Sequence, residues 1–87
     1  MFAGEEKTVR LRLENAMVGV MIDTFGTEVA MRPDGKEHTI ARMEVAVSSQ
    51  FFGWLAGLGA RVEIISPDEV RDEYVSYLAN IISRYEI

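Results

Sequence analysis

Apolar and polar residues alternate strictly from Lys7 to Glu14. Val9, Leu11 and Leu13 fall on one side and Thr8, Arg10 and Arg12 on the other, the period of a strand with one buried face. The period then changes. Asn15 is a capping residue type, and Met17, Val18, Met21, Ile22 and Phe25 follow at three- and four-residue steps, which predicts a helix ended by Gly26. Alternation returns from Thr27 to Arg32, with Val29 and Met31 on one face. Pro33-Asp34-Gly35 then carries turn chemistry, because proline presets φ and glycine accepts a positive one. Glu37 to Val47 is the longest predicted strand. Thr39, Ala41, Met43, Val45 and Val47 form its inner face, and His38, Ile40, Arg42, Glu44 and Ala46 its outer face.

Ser48 can cap a second helix carrying Phe51, Trp54, Leu55 and Leu58, with Gly59 as its stop. Arg61 to Ile65 reads as a fourth strand with Val62 and Ile64 inward. In Ser66-Pro67-Asp68-Glu69, serine caps, proline takes the first helical position and Glu69 closes a capping box. The last helix is predicted to run to about Tyr85, with Val70, Tyr74, Tyr77, Leu78, Ile81 and Tyr85 on one stripe. The order predicts an α+β fold, a ferredoxin-like βαββαβ sandwich with an additional C-terminal helix. Right-handed crossovers put its first and third strands in the middle of the sheet. Residues 1–6 read as a loose arm with turn chemistry at Gly4, 7–65 as the sandwich and 66–87 as the added helix.

Length and composition narrow the picture. At 87 residues the chain is too short for two cores, so 1–87 is read as one domain. With 48% hydrophobic residues it has enough apolar surface to fold. The absence of cysteine removes disulfides, thiolate metal sites and cysteine nucleophiles, and a domain this small without staples fits a reducing cytoplasm. The apolar runs are too short to span a membrane. Fourteen acidic against nine basic residues give a net charge of −5, a poor match to a phosphate backbone, so direct DNA contact by this segment is not expected.

Candidate chemistry is sparse. His38 has no sequence-close ligand partner, which argues against a metal site. Ser48 and Ser49 lack a triad around them. Asp68, Glu69, Asp72 and Glu73 lie in the first turns of the last helix, where acids complement the macrodipole. Gly53, Gly57 and Gly59 match no phosphate-loop spacing; Gly53 and Gly57 share a helix face and allow a close neighbour. No enzymatic activity and no cofactor are expected. The outer sheet face is richer. Arg10 and Arg12 should neighbour Arg42 and Glu44, so three arginines can hold an effector or another domain's carboxylates, or else form cross-strand ion pairs with Glu44 and Glu63. That face lacks the exposed aromatics of RNA-recognition sheets. Phe51, Phe52 and Trp54 cannot all enter a two-layer core from one helix, since successive residues are about 100° apart. Phe52 and Trp54, with Tyr74 and Tyr77 on the last helix, are therefore candidates for an interface.

The segment VAVSSQFFGWLAGLGARVEIISPDEV, Val45 to Val70, resembles the C-terminal extension, or WCX domain, of WYL-domain transcriptional regulators. KTVRLRLENAMVGVMIDTFG, Lys7 to Gly26, is similar to that family's opening strand and helix, as is the leading Phe2-Ala3-Gly4-Glu5. Thr24 stands where a basic residue is expected. The resemblance implies a fragment of a longer bacterial protein, with a winged helix-turn-helix and a WYL domain upstream. It implies a homodimer responding to a small-molecule or oligonucleotide effector, in which DNA is read by the upstream domains. The other reading is a stand-alone ferredoxin-like domain that binds a small molecule, of the amino-acid-sensor kind.

Overall fold

The computed structural model describes residues 4–86. The expectations placed on Met1, Phe2, Ala3 and Ile87 lie outside the described residues. Four strands, β1 (Glu5–Glu14), β2 (Ala30–Asp34), β3 (His38–Val47) and β4 (Val62–Ser66), form one antiparallel sheet in the order β2-β3-β1-β4. Strands β1 and β3 are central, as the crossover argument required. Three helices accompany them: α1 (Val18–Phe25), α2 (Ser49–Gly57) and α3 (Asp68–Ser83). The architecture is α+β with a C-terminal helix.

The alternation in β1 sets the layers. Val9, Leu11 and Leu13 are fully buried and join Ala41, Met43 and Val45 of β3 and Val62 and Ile64 of β4 in one core. Met21 of α1, Phe51, Phe52 and Leu55 of α2 and Val70 of α3 complete that core, so all three helices contribute to the same side of the sheet. Thr8, Ala30, Arg32, Arg42, Glu44 and Glu63 point the other way and are exposed. Among the described residues no helix is long and apolar enough to cross a membrane.

Several boundaries differ from the sequence expectation, each for a local reason. β1 begins at Glu5, because Glu5 and Glu6 pair with Val47 and Ala46 instead of belonging to a loose arm. Asn15 does not cap α1. Its side-chain amide donates to the Lys36 carbonyl at 2.9 Å, and its Oδ1 accepts from the Thr39 hydroxyl at 2.8 Å. These bonds tie the β2–β3 turn to the end of β1, and a 3₁₀ turn, Asn15–Met17, leads into α1 instead. β2 starts at Ala30, since Thr27 belongs to a further 3₁₀ turn, Gly26–Glu28. It also runs through Pro33 and Asp34, which an edge strand tolerates because one flank needs no donors. The chain reverses at Gly35 to Glu37 instead, with Gly35 at φ +74°.

At α2 the expectation held: the Phe51 amide donates to the Ser48 hydroxyl at 3.3 Å, and Gly59 follows the helix at φ +67°. At α3 it did not. Ser66 ends β4, Pro67 occupies the capping position with extended backbone, and no side chain caps the helix. Glu69 does not close a capping box, because its carboxylate meets the Lys7 ammonium at 3.3 Å. α3 ends at Ser83, and of its expected stripe Val70 is buried while Ile81 and Tyr85 are exposed.

Candidate functional site

Register places Arg10 of β1 directly opposite Arg42 of β3 on the outer sheet face. Arg10 is half-buried and Arg42 exposed. Neither forms an ion pair among the described residues. Arg12 is different. Its Nε donates to Asp34 at 2.7 Å and its Nη1 to Glu63 at 3.0 Å, clamping the edge strands β2 and β4 to the centre. These hydrogen bonds, to Asp34 first and then Glu63, raise its pKa above the usual arginine value. Of the ion pairs weighed from the sequence, the one to Glu63 forms, and Asp34 takes the place of Glu44.

One arginine escaped the sequence grouping. Arg32 of β2 is opposite Ile40, while its neighbour two residues back, Ala30, is opposite Arg42, so Arg32 lies diagonal to Arg42 on the same face. It is exposed and forms no ion pair among the described residues. The alternation through Met31 already turned Arg32 outward, but only the strand order brings it beside Arg42. The face therefore holds three uncommitted guanidiniums, on Arg10, Arg32 and Arg42, beside one that is neutralised.

The aromatic candidates lie on the other side of the sheet. Phe52 is 6% exposed, because α3 covers it: its ring centroid is 5.4 Å from Tyr74 and 5.6 Å from Tyr77. The surplus that a two-layer core could not absorb is taken up within the chain. Tyr74 and Tyr77 are half-buried and stacked with centroids 6.4 Å apart, and burial raises the Tyr74 pKa, with a smaller contribution from Tyr77. Trp54 meets Phe25 edge-on at 5.3 Å and is half-buried. Gly53 and Gly57 are not required for a close neighbour: a Cβ at Gly53 would make ordinary contact with the Tyr77 hydroxyl at 3.4 Å, and Gly57 faces open space. Lys7, reaching Glu69 at 3.3 Å and Glu73 at 3.7 Å, fastens the first turns of α3 to β1.

Concavities flank these elements, and two of them reach the sheet. A notch of about 330 Å³ opens where β2 begins, between Phe25, Val29 and Met43 below and Thr8, Glu28, Arg42 and Glu44 at its rim. A more apolar groove of about 440 Å³ runs between α3 and the β4 edge, past Ile64, Tyr74, Val75 and Leu78. His38 lies at the head of β3 opposite Glu14 and Asp34, away from both.

Compared with known families, residues 5–82 match the model described as the WCX domain. No curated protein matches the chain.

Proposed function

The chain belongs to the WCX domain family, and from that premise we propose that it is the C-terminal regulatory and dimerisation domain of a bacterial WYL-type transcriptional regulator. The observation that carries this reading is the family match over residues 5–82. In it, the domain contributes to effector sensing, and the upstream winged helix-turn-helix contacts the DNA. The net charge of −5 supports that division, because a phosphate backbone repels an acidic module. The open sheet face supports a contact role. Arg10 and Arg42, opposed and without carboxylate partners among the described residues, offer a planar, multi-donor surface for an anionic effector or for carboxylates of the WYL domain.

The domain acts by binding and not by catalysis, in the cytoplasm, as part of a homodimer. The strand order β2-β3-β1-β4, with helices on one side, supports a ferredoxin-like reading of the sandwich. Removing residues 5–82 from the intact regulator tests the proposal. The expected result is a regulator that sediments as a monomer, binds its operator more weakly but at the same sequence, and no longer responds to inducing conditions. A truncated regulator that stays dimeric, or a response that survives the deletion, overturns it.

A further inference from the structure

We propose that the notch at the start of β2 binds a small zwitterion, an α-amino acid with an aliphatic side chain. β2 first pairs with β3 at Ala30 opposite Arg42, so β3 from Met43 onward has no strand on that flank. The chain instead passes from α1 through the Gly26–Glu28 turn, leaving a space of about 330 Å³. That is the low end of the range for pockets that take small ligands.

The charges around the notch define the ligand. Arg42 and Glu44, two residues apart on β3, present to the same side, and Glu28 of the turn lines the same notch. Among the described residues none of the three takes part in an ion pair, although both signs are present. A guanidinium fits a carboxylate through two parallel hydrogen bonds, and two carboxylates fit an ammonium. One molecule carrying both groups on neighbouring atoms satisfies all three residues. A phosphate is repelled by Glu28 and Glu44, and a simple amine leaves the Arg42 guanidinium without a carboxylate, so a ligand carrying charge of one sign leaves part of the rim unpaired. Phe25, Val29 and Met43 add a smaller apolar part to a mostly polar lining, against which a short aliphatic side chain can rest. Phe25 is held there edge-on against Trp54. Thr8, opposite Glu44 across β1 and β3, adds a hydroxyl that can bond either ligand group.

This site shares Arg42 with the arginine face but does not rest on the regulator reading, because binding is a property of this chain alone. Amide chemical shifts of the chain, titrated with L-leucine and separately with isocaproate, which lacks the amine, and isoamylamine, which lacks the carboxylate, test it. Leucine is expected to give saturable shifts at Thr8, Phe25, Glu28 and Glu44, with each analogue binding at least about tenfold more weakly. Arg42→Gln and Glu44→Gln should each weaken leucine about tenfold while the remaining spectrum keeps its folded dispersion, and Lys36→Gln, in the exposed β2–β3 turn, should leave binding unchanged. No saturable shift with leucine, isoleucine, valine or methionine overturns the proposal. So does equal binding of the analogues, which would make the notch merely apolar, or shifts confined to the α3 groove. None of these failures touches the domain-deletion test above.

Discussion

Arg10 and Arg42 face each other across the two central strands, a like-charge pair at the middle of an open sheet. Like charges directly opposed destabilise a sheet by a few tenths to about 1 kcal/mol. Arg12, two residues along β1 on the same face, is neutralised twice, by Asp34 and Glu63. The contrast separates an ion-paired arginine from two that form no ion pair among the described residues. Arg42→Glu, which gives Arg10 a cross-strand partner, is therefore expected to stabilise the chain by about 0.5 kcal/mol in urea denaturation. Arg12→Ala, which breaks two partly exposed pairs, should lower the urea midpoint only slightly. A destabilising Arg42→Glu would show that the opposed pair carries no strain.

Phe52→Ala should cost about 3 kcal/mol, because the ring is buried and joins α2 to Tyr74 and Tyr77 of α3. Limited proteolysis should then cut first within α3, whose remaining core contribution is Val70. Uniform cleavage along the chain would show that α3 is held by other means.

Alkaline pH should loosen the same helix. The hydrogen bond to Glu69, foremost, raises the Lys7 pKa above its usual value, so the folded chain holds that proton more tightly than the unfolded one. Its contribution is complete below the unfolded lysine value of about 10.4 and is lost as pH climbs through the higher folded value. Tyr74 acts in the same direction, since burial disfavours the phenolate, with its window opening near the usual tyrosine value of about 10. Stability measured by denaturant titration should stay level from neutrality to about pH 9.5 and fall above it. Lys7→Met should lessen that fall; an unchanged slope would remove Lys7 from the docking of α3.

Two glycines should respond in opposite directions. Gly57 ends α2 with nothing within 4 Å of an added Cβ, so Gly57→Ala should stabilise by about 0.5–1 kcal/mol. Gly4 has φ +146°, and a Cβ there would run into the Val47 carbonyl, so Gly4→Ala should destabilise by about 1–3 kcal/mol. Thermal unfolding of both variants checks the pair.

The sheet was legible in the sequence because period-two alternation survives in β1 and β3, where one face is buried and the other wet. The inward set Val9, Leu11, Leu13, Ala41, Met43 and Val45 follows directly from it. Caps were less legible. Asn15 and Glu69 have the residue types of helix starts, but each finds a tertiary partner, Thr39 and Lys7, that no local pattern announces. The same holds for the site. Alternation puts Arg10, Arg12 and Arg42 on one face, yet which of them is neutralised depends on Asp34 and Glu63, set 22 and 51 residues away in sequence from Arg12. Phe52 looked like a surplus because a βαββαβ core has two layers of helix and sheet, and the third helix supplied its cover.

Occupancy of the regulator's operator in cells, compared between wild type and the Arg10→Ala/Arg42→Ala double variant under inducing and non-inducing growth, tests the central claim most directly. The account predicts that the double variant still binds the operator but that the ratio between the two conditions changes at least about fivefold, the scale of an allosteric coupling. An unchanged ratio, with the variant as stable as the wild type, would contradict it.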